Sequence, residues 1–166
     1  MKIAVVSGRG VGTTTLSAFD SALKNAGVYN YNLITLSSII PPKSKIVTID
    51  KYRTDVKQYG DRLYVVKAEM RSQQVGKFIS AGIGWYQYDD GRGVLVEHEE
   101  IGETKVAVES EINFKIVSSL HDLCRHRKIK FHDKDFKQKI IISQVIDQPC
   151  CVLVLAVFQS QKWDIS

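Results

Sequence analysis

The chain of 166 residues lacks the features that mark membrane and secreted proteins. It contains no run of about 18 apolar residues, so no membrane-spanning helix is expected. The apolar stretch that follows Lys2 ends at Gly8, which is too short for a secretory signal peptide and predicts a first strand instead. Cysteine is scarce, with only Cys124, Cys150 and Cys151. An odd number of cysteines without a signal peptide is typical of a reducing compartment, so we expect a cytoplasmic protein.

Motifs for nucleic-acid binding are absent too, although the net charge is +5. Much of the positive excess lies between Arg125 and Lys139, a stretch that also contains Asp133 and Asp135. Mixed charges of this kind are typical of a solvated surface. We therefore expect neither a nucleic-acid partner nor a membrane partner.

Patterns for phosphate, metal and hydrolase sites are also missing. The glycines between Gly8 and Gly12 match neither GxGxxG nor the Lys-Ser/Thr of a phosphate-binding loop, and they predict a flexible turn. The candidate metal ligands are His121, Cys124, His126 and His132. On a helix, the offsets of three and five would not bring three ligands to one side, and no CxxC supports them. No metal site is therefore expected, and no nucleophile–His–acid order indicates a hydrolase.

What the sequence does contain is an ordinary globular composition, with 44% hydrophobic and 25% charged residues. The length suits one domain over residues 1–166. Periodicity predicts two helices, from about Leu16 to Ala26 and from about Glu103 to His126. Strands are predicted at 2–7, 31–40, 62–70, 76–88, 93–99, 139–146 and 151–159, with a polar loop at 43–60. This order indicates an α/β fold of the α+β layered-sandwich type, with helices packed on a mainly antiparallel sheet.

The predicted helices have recognisable ends and inner faces. Threonines at 13–15 can cap the start of the first helix, and Gly27 can end it. Its predicted inner face consists of Leu16, Phe19, Leu23 and Ala26; that of the second helix consists of Ile112, Ile116, Leu120 and Leu123. The last two strands are rich in Ile and Val and are expected at the centre of a sheet.

The most specific pattern lies between Leu16 and Pro42. By spacing alone, the pair Ser37-Ser38 reads as the end of an apolar strand ahead of two prolines. The whole stretch, however, resembles the pyruvoyl-dependent arginine decarboxylases. The matching residues are Leu16, Ala18, Phe19, Asp20, Ala22, Leu23, Ala26, Gly27, Asn32, Leu33, Ser37, Ser38, Ile39, Pro41 and Pro42. A second stretch, residues 93–99, resembles the family's strand with a catalytic glutamate, which is Glu97 here.

The resemblance implies a proenzyme that cleaves itself between Ser37 and Ser38. The Ser38 hydroxyl would attack the Ser37 carbonyl to give an ester, and elimination and hydrolysis would leave a pyruvoyl group and ammonia. The products would be a β chain of residues 1–37 and an α chain of residues 38–166. The covalent pyruvoyl cofactor would form a Schiff base with the substrate's amine and act as the electron sink for decarboxylation of L-arginine to agmatine. Asn32 occupies the family's position for assisting the cleavage.

The same resemblance assigns the other site residues. Glu97 would return a proton to the substrate, and alternation along a strand would place Glu99 on its side and His98 on the other. Asp20 would hold the guanidinium through two parallel hydrogen bonds. The predicted pocket walls are Leu16, Tyr31 and Ile39, with Tyr31 bulkier than the small aliphatic residue expected there. Family members assemble as trimers with active sites between protomers, so a homotrimer or a multiple of it is expected.

Two alternatives remain at the level of the sequence. One is a decarboxylase of the same architecture that acts on another amino acid. The other is a homologue that does not process itself and serves as a binding or assembly subunit. The mass of the denatured protein and the effect of Asp20→Ala on substrate choice would separate these hypotheses.

Overall fold

The computed structural model describes residues 1–163, which form four layers in the order helix, sheet, sheet, helix. The elements are β1 Lys2–Val11, α1 Thr15–Ala26, β2 Asn32–Thr35, β3 Ile39–Ile40, β4 Lys45–Thr48, a short 3-10 helix Val56–Gln58, β5 Arg62–Ser72, β6 Phe78–Gln87, β7 Gly93–Gly102, α2 Lys105–His126, β8 Lys137–Gln144 and β9 Cys150–Gln161.

The first sheet has the strand order β2-β5-β9-β1-β4, and the second has the order β3-β7-β6-β8. The pairs β1–β4 and β2–β5 are parallel, whereas the remaining pairs are antiparallel. The predicted α+β layered sandwich is thus confirmed. No helix in residues 1–163 is both long and apolar enough to cross a membrane.

Apolar side chains fill all three spaces between the layers. Residues such as Ile3, Ile79 and Leu95 form the layer between the two sheets. A second layer lies between α1 and the first sheet, and a third lies between α2 and the second sheet. The inner face predicted for α2 is confirmed, because Ile112, Ile116 and Leu120 are buried, and Leu123 packs partly buried beside them.

The flexible turn predicted at Gly8–Gly12 is wrong, because β1 continues to Val11 and includes Gly8 and Gly10. A β-carbon on either glycine would overlap the backbone of α1 at Ala22. The glycines therefore let the helix lie directly on the strand, a close approach that only a missing side chain permits.

This close approach also changes the inner face of α1. Its buried face contains Ala18, Ala22 and Ala26 with Leu23, whereas Leu16 is 67% exposed. The prediction that Leu16 faces inward is therefore wrong, since small side chains suit the short helix–strand distance. The predicted ends are confirmed: Thr14 caps the first turn, and Gly27 ends the helix with a left-handed φ of 88°.

Two strand predictions also need correction. The predicted strand 31–40 is two strands, β2 and β3, which belong to different sheets. Strand β9 lies at the centre of the first sheet as expected, but β8 is an edge strand of the second. The apolar residues of β8 face the layers above and below the sheet. An edge strand and a central strand can therefore have the same apolar composition, which did not reveal the position of β8.

Candidate active site

The chain crosses from the first sheet to the second between Leu36 and Ser38. On one side, the Leu36 amide donates to the Val65 carbonyl of β5 at 2.8 Å. On the other, the Leu95 amide of β7 donates to the Ser38 carbonyl at 2.9 Å. Ser37 is exposed and Ser38 is buried, so the predicted scissile peptide spans the gap between the two sheets.

Ser38 adopts an unfavourable backbone conformation at this crossing, with a φ of 61°. For a residue that carries a β-carbon, the left-handed region costs about 1–2 kcal/mol. The hydrogen bonds on either side of the crossing hold the residue in this conformation. Strain of this kind is concentrated at functional sites, where the surrounding fold maintains it.

The Ser38 hydroxyl donates to the carboxylate of Glu97, with distances of 2.9 and 2.8 Å to its two oxygens. Strand β7 pairs with β3 only through Gly93 and Val94. Glu97 lies three residues further along β7, where this edge of the strand is open. The two predicted residues are 59 positions apart in the chain, and the crossing brings them into contact.

The predicted alternation along β7 is confirmed. Glu99 points to the same side as Glu97 and accepts a hydrogen bond from the amide of Glu69 at 3.1 Å. His98 points to the opposite side, where its Nε2 lies 2.8 Å from the Ser119 hydroxyl of α2. Glu97 and Glu99 therefore share one side of the strand, while His98 has a separate environment.

Burial raises the pKa of Glu97, and the nearby charge of Glu99 raises it further, while the hydrogen bond from Ser38 partly opposes both. Burial also lowers the pKa of His98, which favours its neutral form. Glu97 is thus a carboxyl group that retains its proton to a higher pH than an exposed glutamate, as a proton donor near neutral pH requires.

A cavity of about 260 Å³ opens beside these groups. It is lined by Ser38, Leu95, Val96, Glu97, His98, Ser119 and Leu123. Sequence reasoning missed His98 as a wall residue and missed the contribution of α2. The spacing of four between Ser119 and Leu123 was the available signal, because it places both on one helical face.

The remaining predicted residues do not line this cavity. Asp20 and Leu16 are exposed on α1, and Ile39 is 49% exposed directly after Ser38. Asn32 lies exposed on β2, and its side-chain amide donates to the Gly60 carbonyl at 2.6 Å. Within one chain, the structure therefore brings together Ser38 and Glu97, with Ile39 next to Ser38 in the sequence, and leaves Asp20, Leu16 and Asn32 outside this cavity.

Tyr31 lies in a setting that differs from the predicted pocket wall. Its side chain is 7% exposed within the layer between α1 and the first sheet. The ring packs edge-on against Tyr52, and the hydroxyl donates to Gln58 at 2.5 Å. This burial explains how the fold accommodates the size of Tyr31, whose role as a pocket wall stays a prediction.

Metal-binding clusters are absent from residues 1–163, where no three His, Cys, Asp or Glu side chains are grouped suitably for a metal ion. The cysteines Cys124, Cys150 and Cys151 are free and buried, and burial raises the pKa of Cys151 to about 12. The Cys151 thiol is therefore protonated and unreactive near neutral pH.

Known proteins resemble this chain along most of its length. A family model described as pyruvoyl-dependent arginine decarboxylase matches residues 2–162. A protein of Thermoplasma volcanium with that name is 27% identical over 158 residues, covering 94% of this chain and 86% of the relative. One of Methanothermobacter thermautotrophicus is 35% identical over 111 residues, covering 67% and 70%.

A third relative with the same name, from Picrophilus torridus, is 34% identical over 106 residues. That match covers 63% of this chain, which spans 58% of the Picrophilus protein. Because the family model matches nearly every described residue, including both segments that carry the Ser38–Glu97 pair, the chain belongs to the pyruvoyl-dependent arginine decarboxylase family.

Proposed function

We propose that this chain is a pyruvoyl-dependent decarboxylase that converts L-arginine to agmatine and carbon dioxide. The observation that carries the proposal is the strained Ser38, whose hydroxyl contacts the carboxylate of Glu97 at 2.9 and 2.8 Å. The names of the relatives support arginine as the substrate. The three buried, free cysteines are compatible with the reducing cytoplasm that we propose as its location.

Maturation begins, in this proposal, when the Ser38 oxygen attacks the carbonyl carbon of Ser37. The hydroxyl proton leaves, the peptide C–N bond breaks, and an ester joins the two residues. Loss of the Ser38 α-proton then expels the Ser37 carboxylate, and hydrolysis of the resulting dehydroalanine releases ammonia. Relief of the left-handed conformation favours the attack, and Glu97 is placed to accept the hydroxyl proton.

The two products, residues 1–37 and 38–166, remain one folded domain in this proposal. The first product contains β1, α1 and β2. Strand β1 pairs with both β9 and β4, and β2 pairs with β5, so backbone hydrogen bonds hold the short chain after the peptide is cut. The hydrophobic layer beneath α1 adds to this association.

The residues around Ser38 are suited to a pyruvoyl group at that position. When formed, the group supplies an electrophilic carbonyl that withdraws electrons from the substrate's α-carbon as carbon dioxide leaves. The Leu95 amide holds the neighbouring Ser38 carbonyl in place. Glu97 delivers the proton that replaces the lost carboxylate, and the raised pKa of its carboxyl group supports this role.

The substrate's guanidinium requires a carboxylate, and Asp20 is the candidate. Asp20 is exposed and makes no ion pair with any residue in 1–163. Its neighbour Leu16 and the site residue Ile39 are exposed apolar side chains, 67% and 49% respectively. We infer a homotrimer in which α1 of one protomer faces Ser38 of the next, and Asn32 remains the residue proposed to assist the cleavage.

Mass spectrometry of the denatured protein tests the proposal directly. The native chain should give two fragments divided between Ser37 and Ser38, with the larger one lacking a terminal amine. Ser38→Ala should remain intact and release no carbon dioxide from arginine, while Ser44→Ala serves as a control at another buried serine. An intact native chain after prolonged incubation refutes the enzyme assignment and favours a non-processing subunit.

A further inference from the structure

The cavity of about 260 Å³ beside Ser38 and Glu97 contains a second polar pair, His98 on β7 and Ser119 on α2. The Nε2 of His98 lies 2.8 Å from the Ser119 hydroxyl, and both side chains are half-buried. The proposed maturation and proton transfer use neither residue. The pair is therefore a polar part of the active-site wall whose role is open.

The pair keeps one hydrogen-bond donor that no residue in 1–163 accepts. Burial lowers the pKa of His98, so near neutral pH its ring is mostly uncharged and carries one N–H. Together with the Ser119 hydroxyl, the pair has two donors, and the contact between Nε2 and the hydroxyl oxygen uses one of them. The other donor, an O–H or an N–H, remains for a ligand in the cavity.

The size and the other walls of the cavity narrow the identity of that ligand. Leu95, Val96 and Leu123 are apolar, and no Lys or Arg among residues 1–163 lines the cavity. A water molecule occupies about 30 Å³ in the liquid, so the cavity can hold a small polar group. Its volume of about 260 Å³ lies below the range of about 300–1,000 Å³ typical of sites that enclose a whole ligand. The cavity therefore suits one end of a substrate.

The end of arginine that reaches this cavity follows from the proposed decarboxylation, on which this inference rests. In that reaction bonds change at residue 38, and Glu97 protonates the α-carbon of the substrate. The α-carboxylate is attached to the same carbon, so it lies next to Ser38 and Glu97, which both line the cavity. The guanidinium lies at the far end of the substrate, where Asp20 of another protomer is its proposed partner. The carboxylate is therefore the group that the cavity can receive.

We propose that Ser119 binds the α-carboxylate of the substrate and that His98 positions Ser119 for this contact. The Nε2–H of His98 donates to the Ser119 oxygen, and the Ser119 hydroxyl donates to a carboxylate oxygen. A neutral donor suits a group that loses its charge as carbon dioxide leaves, because a lysine or arginine would stabilise the bound substrate more than the transition state. The apolar walls around the pair are suited to the uncharged carbon dioxide that forms there.

Steady-state kinetics of the native protein test this contact, with agmatine as an inhibitor that lacks only the carboxylate of arginine. Ser119→Ala should raise the KM for arginine roughly 10- to 100-fold, since it removes a hydrogen bond to a charged group. Its kcat should change by less than about threefold, because that bond weakens as the charge leaves the carboxylate. The inhibition constant of agmatine should not change. Ser118→Ala is the matched control, because Ser118 is the next residue of α2 and lies outside this cavity.

A second measurement does not depend on turnover. Nitrogen-15 NMR of native protein labelled at histidine reports which ring nitrogen carries the proton, and His98→Gln assigns the signal. Near neutral pH, His98 should be uncharged and protonated at Nε2. Ser119→Thr is a further variant that keeps the hydroxyl, so it should keep the KM for arginine close to the native value.

The results that overturn the proposal differ from those that refute the enzyme assignment. An unchanged KM in Ser119→Ala overturns the proposal, as does an equal loss of affinity for arginine and agmatine, which would show that the carboxylate is not the group bound. Equal effects of Ser118→Ala and Ser119→Ala, or protonation of His98 at Nδ1, overturn it as well. If the native protein releases no carbon dioxide from arginine, the proposed function fails and this role fails with it. If it does release carbon dioxide, the other results refute only the role of the pair.

Discussion

Mixed trimers test whether the active site lies between two copies of the chain. One chain carries Ser38→Ala, and the other carries Asp20→Ala. Neither alone forms a complete site, because the first lacks the pyruvoyl precursor and the second lacks the group proposed to bind guanidinium. In one protomer, Ser38 lies where β3 begins in the second sheet, whereas Asp20 is exposed on α1, which covers the first. If the site lies between two copies, it can therefore combine the intact Ser38 of one chain with the intact Asp20 of the other.

The expected recovery follows from counting. Every mixed trimer, whether it holds one or two Ser38→Ala chains, has one interface of three that pairs an intact Ser38 with an intact Asp20, so isolated mixed trimers should recover roughly a third of the native activity. Coexpression with two different tags isolates the mixed trimers, and release of labelled carbon dioxide from arginine measures activity.

The control for Asp20→Ala is Asp50→Ala, which makes the same change at another exposed aspartate and should preserve activity. Native mass spectrometry must establish that mixed trimers are present. If they are present and their activity does not exceed that of the separate variants, the two residues act within one chain and the proposed arrangement is refuted.

Three further predictions concern Glu97 and the core. Glu97→Gln should slow self-cleavage, because its amide oxygen can accept a hydrogen bond from Ser38 but cannot take the hydroxyl proton. Turnover by the cleaved fraction should fall by about 10²–10⁴-fold through loss of the proton donor, measured by carbon dioxide release. Turnover should decline as pH rises through the raised pKa of Glu97, and Glu99→Gln should shift this decline to lower pH by removing a like charge. Gly10→Ala should lower the free energy of unfolding by about 1–3 kcal/mol or more, measured by urea denaturation, because its β-carbon would overlap the backbone of Ala22.

Each of these predictions has a contradicting result. Full turnover by Glu97→Gln excludes Glu97 as the proton donor, and an unchanged pH profile in Glu99→Gln excludes the influence of its charge. Gly60→Ala is a control for Gly10→Ala, since no atom lies within 4 Å of the added carbon, although the φ of 84° there adds its own strain. Native-like stability in Gly10→Ala contradicts the proposed close packing of helix and strand.

The sequence predicted the layered fold because periodicity and turn residues are local signals. It could not predict that residues 31–40 divide between two sheets, since the division depends on which strands are available for pairing. The glycines of β1 were misread for a similar reason. Glycine occurs both in flexible turns and where two backbones lie close together, so the sequence does not distinguish these two reasons. The packing of α1 on β1 shows that the second reason applies here.

The candidate site was predictable only in part. The resemblance singled out Ser38 and Glu97, and the structure explains their contact through the crossing between the sheets. His98 and Ser119 were missed because their proximity requires α2 to pack on β7. Tyr31 was assigned to the pocket by its position in the motif, and the motif alone did not reveal that its ring lies in the apolar layer between α1 and the first sheet.

The position of β1 within the first sheet affects how the proposed mature protein unfolds and refolds. In the uncleaved chain, all strands of one protomer are covalently joined. In the proposed cleaved form, residues 1–37 carry the strand that lies between β9 and β4, so refolding requires two separate chains to meet. In the proposed trimer, the melting temperature of cleaved protein should therefore rise with concentration more steeply than that of Ser38→Ala, because six chains rather than three must reassemble. The uncleaved precursor would then be the form that folds, and slow unfolding would preserve the cleaved enzyme.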